Sequence, residues 1–307
     1  MLKLSKIHIS LIVTLGLMIV GQMGGVLYKN SLPDITSEKA PEIQVTVAGS
    51  AKAFGLVHPQ EKHFQVSSVK ELKHVFNHWE YNLTKAKSEG HVPRLYLAKL
   101  PGDMNRKKSA ANSTFIQILL PHILKVNEQI LVDRARLLEM QKRQKEGHHL
   151  CYAERMWLSK LASEYRCKST KIESLLVHVD VVPPSLALAQ AILETGGGRS
   201  SAALKKNSPF GYMATKTQVA KFESLLHSVQ AYTLNLNRHV AYAAFRTERA
   251  VQRKSNQTLC GHKLASLLVK YSVRGPAYTK DLQNLIHNHG LKGYDSMVLE
   301  QPMRLKP

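Results

Sequence analysis

Acidic residues are scarce in this chain. Only 22 aspartates and glutamates face 43 lysines and arginines, a formal charge of +21 over 307 residues. The shortage is sharpest in the second half, where Glu223 is the only acidic residue between Glu194 and Glu248. Such a charge suits an anionic partner, either nucleic acid or an anionic cell surface with its headgroups and acidic polymers. No RNP strings, zinc-finger spacings or basic heptads accompany it, so no nucleic acid is expected as a partner. Pairs such as Lys107-Lys108 and Lys142-Arg143 read as solvated faces. Cysteine is equally sparse, at three. His148-His149 with Cys151 and Cys167 matches no tight ligand spacing, and His287 and His289 fall on different faces of a helix, so neither a metal nor another cofactor is expected. No internal repeat is present.

What is there begins with an apolar stretch from Ile7 to Tyr28 behind Lys3 and Lys6. It is long enough to cross a bilayer, which takes about 20 residues. Its denser part, Ile9 to Val20, also has the length of a signal-peptide core. Residues 1–29 are therefore expected to be a signal anchor or signal peptide that exports the rest, with the basic end cytoplasmic. Residues 30–71 mix Pro33, Pro41, serine, threonine and glycine without a sustained period and read as a linker. Helical spacing starts at Ser68, with Val69, Leu72, Val75 and Phe76. The strongest period runs from Phe115 to Glu146, where Ile116, Leu119, Leu120, Ile123, Leu124, Ile130, Leu131, Leu137 and Leu138 make one stripe. Pro121 is expected to kink that helix or start a new one, and Gly147 to end it. Two short helices, Tyr152 to Tyr165 and Ile172 to Val179, follow. Further helices are expected over Ser224 to Arg253 and Leu264 to His289, the latter interrupted at Arg274-Gly275-Pro276. The chain reads as mainly α.

The most informative stretch is the apolar run Val181 to Glu194, followed by Gly196, Gly197 and Gly198. Pro183 and Pro184 suit a first turn. Leu186, Leu188, Ala189, Ile192 and Leu193 leave almost no polar face, which predicts a central, buried helix. The run offers Glu194 no basic partner. A carboxyl held against apolar neighbours, at the negative end of a helix dipole, keeps its proton to higher pH. A protonated carboxylic acid near neutral pH can act as a general acid. The alternative is a surface glutamate at a fraying helix end.

The string VVPPSLALAQAILETGGGRSSAALKKNSPFG resembles the catalytic segment of the Bax-like glucosaminidases, whose pattern is close to VPxSLALAQAxxESxWGxSxxAxxxNNxFG. Ser228 to Tyr242 resembles the family's SVxxYxxNLNTHxAY, and Tyr271 to Tyr278 its YSxRGxxYxxxL. VPRLYLAKLP and FIQILLPHILKVNEQILVDRARLLEM are similar to further family segments, so the resemblance covers roughly Leu72 to Leu291. It implies a lysozyme-like helical domain with a reduced β-lobe over 151–297. An α-helical extension over 72–150 would precede it and a tail over 298–307 would follow. It also implies a bacterial envelope enzyme that cleaves β-1,4 bonds in peptidoglycan glycan strands, facing the periplasm behind its membrane segment or secreted into it. Glu194 would be the acid and Tyr271 a cleft tyrosine, orienting the substrate or supporting developing positive charge. Tyr271 is alternatively a core tyrosine with its hydroxyl at the rim. Asn207, Phe210, Gly211, Tyr212, Tyr232 and Tyr242 fall at expected substrate-binding positions. Asn207 is expected to tie the cleft loop, and packing between helices is the other reading of the tyrosines, Tyr278 included.

The chain departs from the family pattern in three places. Gly197 stands where the family has tryptophan, the segment after Phe210-Gly211 is short enough for at most a brief hairpin, and Glu223 is a poor candidate for a second carboxylate. One carboxylate suffices where a substrate's 2-acetamido oxygen attacks the anomeric carbon. Cys151 and Cys167 could pair in an oxidising periplasm, leaving Cys260 alone. A lytic transglycosylase and a degenerate wall-binding protein remain alternative readings.

Overall fold

The computed structural model describes residues 61–105, 111–215, 217–256 and 258–301. The expected membrane segment, most of the linker, Lys107-Lys108 and the last residues of the tail lie outside them. The described chain is mainly helical, with eleven α-helices and four short strands. Strand β1 (Lys62–Phe64) pairs in parallel with β3 (Leu95–Leu97), and β2 (His91–Val92) with β4 (Val298–Leu299). The end of the expected linker is thus part of the fold, and the start of the expected tail closes back on residues far upstream. Strands this short carry no readable alternation.

Helix α1 (Val69–His78) starts where the period predicts, capped by the Ser68 hydroxyl, which accepts from the Glu71 N–H. Helix α2 (Leu83–Glu89) is capped in the same way by Asn82. Helix α3 (Ala111–Lys145) runs unbroken for 35 residues through Pro121, so no new helix begins there. Proline removes the N–H that would bond the carbonyl four residues back. That carbonyl belongs to Gln117, and the buried Tyr81 hydroxyl donates to it at 3.1 Å. The lost helical bond is thereby replaced from outside. Leu119, Leu120, Ile123 and Leu137 are buried as the stripe predicts, but Leu131 and Leu138 are 44% and 46% exposed. The period continues past the part of the helix that other elements cover on that side.

Helices α4 (Tyr152–Glu164) and α5 (Ile172–His178) match their expected ranges. The Cys151–Cys167 bridge does not form, and all three cysteines are free thiols. The two residues flank α4, whose 13 residues span about 20 Å, against the roughly 6 Å between Cα atoms that a disulfide requires. After α6 (Pro184–Thr195) and α7 (Ser201–Lys206) come α8 (Leu225–Arg238), α9 (Ala243–Lys254), α10 (Gly261–Ala265) and α11 (Pro276–Asn288). The expected helix from Ser224 to Arg253 is broken at His239, which is extended and leads into a 3-10 turn over Val240–Tyr242. The expected helix from Leu264 ends at Ala265, the last residue of α10; turns and bends fill 266–275, and α11 begins at Pro276, at the expected interruption.

Helix α6 sits at the centre. It packs against α3, α10, α11 and the 3-10 turn Leu291–Tyr294, within one hydrophobic core that also takes in residues of the first strands and helices. Its approach is pinned from α3. The Asn127 amide donates to the Val182 carbonyl at 2.9 Å and accepts from the Val182 N–H at 3.3 Å. Its first turn is held by Asp295, whose carboxylate accepts from the Ser185 N–H and hydroxyl, both at 2.8 Å, and from the Gly261 N–H. An anion there complements the positive end of the helix dipole.

Just ahead of α6 lies Asp180, 1% exposed, in contact with three arginines. Arg253 donates two hydrogen bonds to it, at 2.8 and 3.0 Å, while Arg134 and Arg249 lie within 4.0 Å. Arg249 is fully buried and donates to the carbonyls of Val177, His178, Asp180 and Val181 and to the Asn237 side chain. One guanidinium thus satisfies a turn whose backbone has no helical or strand partner, meeting the requirement that buried carbonyls be paired.

Candidate active site

Glu194 occupies the last turn of α6. Pro184 opens that helix and Gly196, in the left-handed conformation at φ 61°, closes it. Gly197 and Gly198 continue left-handed, at φ 76° and 82°. A side chain at 198 would run into the Phe115 ring. One at 197 would collide with the Asn112 amide, which comes from the start of α3. The aromatic wall of the family pattern is therefore replaced by a polar group from another helix.

The next residues fold back over the carboxylate. Helix α7 is capped by the Ser200 hydroxyl and ends at Asn207, itself left-handed at φ 50°. The buried Asn207 amide donates to the carbonyls of Phe222 and Glu223 at 3.0 and 3.2 Å, closing the loop between them. Within it, Met213 and Val219 form a single antiparallel bridge, all that the short β-segment supplies among its described residues. Gly211 adopts φ 60°, and a Cβ there would lie 3.6 Å from Glu194 Oε2.

Glu194 is partly exposed. Its Oε1 accepts from the Tyr278 hydroxyl at 2.9 Å. Tyr278 accepts in turn from Gln190 Nε2 at 3.0 Å, and Gln190 Oε1 accepts from the Tyr232 hydroxyl at 2.7 Å. Burial raises the Glu194 carboxyl above its ordinary value of 4.5; the Tyr278 hydrogen bond and the Arg274 charge pull the other way and do not offset it. Desolvation at the end of an apolar helix therefore acts as its sequence implies.

The aromatic residues divide into two groups. Tyr271 is partly exposed, stacks on Tyr278 with centroids 5.6 Å apart, and donates its hydroxyl to the Phe210 carbonyl at 3.3 Å. Tyr212 and Gly211 are also partly exposed, and these three can meet a ligand. Phe210, Tyr232 and Tyr242 cannot: each is 1% exposed, and Phe210 stacks on Tyr232 at 3.9 Å. Asn207, at 4%, has its amide committed to the loop. All four fall at expected substrate-binding positions but are buried; Asn207 ties the loop as expected, and Tyr232 and Tyr242 follow their other reading, packing between helices. Tyr278 and Gln190 were missed as partners of the carboxylate. Gln190 precedes Glu194 by one helical turn, so its place on the same face was readable. The Tyr278 contact joins residues far apart in sequence and was not. Glu223 is exposed and lies 3.6 Å from His227, not in the Glu194 group. No cluster of three or more histidine, cysteine or acidic side chains is placed to hold a metal ion among the described residues.

Residues 174–291, which span α5 to α11, match the Glucosaminidase family, described as mannosyl-glycoprotein endo-beta-N-acetylglucosaminidase. Protein bax of Escherichia coli (strain K12) is 32% identical over 233 residues, which cover 68% of this chain and 81% of that protein. No solved structure matches the chain. A buried-edge glutamate on a central helix, held by a tyrosine from within the matched span, thus coincides with both similarities: the chain belongs to the glucosaminidase family, as a homologue of Protein bax.

Proposed function

We propose that this protein hydrolyses β-1,4 bonds next to N-acetylglucosamine in peptidoglycan, on a lysozyme-like helical scaffold, with Glu194 as general acid. The observation that carries this reading is the environment of Glu194. Burial favours its protonated form, Tyr278 engages one oxygen, and the other lies near the partly exposed Gly211. Protonated Oε2 transfers its proton to the glycosidic oxygen as the bond to the anomeric carbon breaks, and Glu194 is left as carboxylate. Among the described residues, the charged side chain that acts on Glu194 is that of Arg274. In this reading the acetamido oxygen of the same sugar attacks the anomeric carbon, and water then opens the cyclic intermediate and returns a proton to Glu194. Tyr271, at the exposed edge of the tyrosine stack, orients that acetamide or faces the developing positive charge.

The net charge of +21 suits the acidic stem peptides and lipids of a cell envelope. We place the folded part in the periplasm, behind residues 1–29 as anchor or cleaved signal. Full-length protein incubated with purified sacculi should release muropeptides with reducing ends, and Glu194→Gln should release at least about a hundredfold less. Equal release by both removes Glu194 from the chemistry. Anhydro ends in the mass spectrum would assign the same acid to a lytic transglycosylase, and retention on sacculi with no cleavage would indicate a wall-binding protein.

A further inference from the structure

The three hydrogen bonds beneath Glu194 have a direction. A tyrosine hydroxyl carries one proton, so it donates once and accepts with what remains. Tyr232 is buried and donates to Gln190 Oε1. That fixes the Gln190 amide with its nitrogen toward Tyr278, whose oxygen accepts it. The Tyr278 proton is then committed to Glu194 Oε1. The reverse arrangement turns the Gln190 amide over. It gives the Tyr278 proton to Gln190, requires Glu194 to carry its own proton on Oε1, pointing inward, and leaves the buried Tyr232 hydroxyl proton without an acceptor, which is costly. Tyr232 itself is clamped by the Phe210 ring at 3.9 Å.

We propose that Gln190 and Tyr232 are positioning residues for the acid. By setting the direction of the Tyr278 hydroxyl they keep the dissociable proton of Glu194 on Oε2, the oxygen beside Gly211. The inference rests on the reading of Glu194 as a general acid. Neither residue touches substrate: Gln190 is 0% and Tyr232 1% exposed. They act through Tyr278, and the family pattern places Gln190 in the LALAQA run without a role that its own position would reveal.

The test uses the full-length protein, Gln190→Met, Tyr232→Phe and the double variant. Two readouts are taken: the Glu194 carboxyl titrated by 13C NMR, and kcat and KM on sacculi against pH. In Gln190→Met the Tyr278 oxygen is left free to accept. Protonation of Glu194 on Oε1 becomes favourable, the carboxyl titrates at higher pH than in wild type, and the limb on which activity falls with rising pH moves up with it. The proton now sits on the wrong oxygen, so kcat falls about tenfold with KM unchanged. Tyr232→Phe shifts both readouts in the same direction by less. The double variant matches Gln190→Met, because Tyr232 acts only through Gln190. An unmoved titration in both single variants, or losses that add in the double variant, overturns the proposal and reduces the two residues to packing. If wild type cleaves no glycan while the NMR shifts appear as described, the functional reading fails and the hydrogen-bond direction stands. Should Gln190→Met not fold, Tyr232→Phe, which removes one oxygen from a stacked ring, decides by its titration alone.

Discussion

Asp180 precedes the buried helix α6 and Glu194 lies in its last turn, and burial works against ionisation in both. Around Asp180 the arginine hydrogen bonds and charges from Arg253, Arg249 and Arg134 outweigh burial, so its carboxyl titrates below its ordinary value. Around Glu194 burial prevails over one tyrosine hydrogen bond and one exposed arginine, so its carboxyl titrates above it. The first is an ionised group that organises backbone and stays ionised. The second keeps its proton to higher pH than an ordinary glutamate, as the proposed acid requires. Desolvation is common to the two, and the cations close by decide between a structural anchor and an acid.

The comparison breaks most visibly at the two carboxylates themselves. Glu194→Gln keeps the shape and an acceptor for Tyr278 but has no proton to give, so glycan cleavage should fall about 10²–10⁴-fold, read as muropeptide release, with circular dichroism unchanged. Asp180→Ala leaves Arg249 and its neighbours uncompensated in the interior and should cost about 3–5 kcal/mol by urea unfolding. Gly198→Ala tests the loop that follows Glu194. At φ 82° and with a Cβ 2.6 Å from the Phe115 ring, it should destabilise by about 1–3 kcal/mol, measured in the same way.

The smallest effect is the pH dependence, and it has opposite signs at the two sites. Asp180 is lowered on folding, so its contribution is present above the ordinary value of 3.8 and is lost as pH falls through its folded value. Glu194 is raised, so its contribution is present below 4.5 and is lost as pH rises through its folded value. Glu194→Gln should therefore gain stability over wild type at neutral pH, a gain that shrinks in acid. Thermal unfolding at a series of pH values checks it, and a variant equally or less stable at neutral pH contradicts the sign.

Helices α4, α5 and α6 were legible because period and punctuation agreed: Pro184 starts α6 and Gly196 stops it. The apolar run gave the helix its buried place, and with it the direction of the Glu194 shift. The break at His239 and the turns over 266–273 were not legible, since apolar spacing continues across both while the backbone does not; the interruption at Arg274-Gly275-Pro276 was. Leu131 and Leu138 carry the period without the burial, because coverage of α3 is set by its neighbours. One strand pair, β2 with β4, joins residues at opposite ends of the described chain, and no local pattern announces it. The same holds for Arg249 and Asp180, and for Tyr278 and Glu194. Charge and hydroxyl partners that meet across the fold leave no period in the sequence. Phe210, Tyr232 and Tyr242 show the converse: motif position marked them as part of the site, and only packing shows that they stand behind it.

The most direct test of the account is the titration of the Glu194 carboxyl in the full-length protein by 13C NMR, identified by the resonance that Glu194→Gln removes. A midpoint above 4.5 is expected, because burial outweighs the Tyr278 hydrogen bond and the Arg274 charge. A midpoint at or below 4.5 would contradict it, for the carboxyl would then be ionised before any glycan arrived.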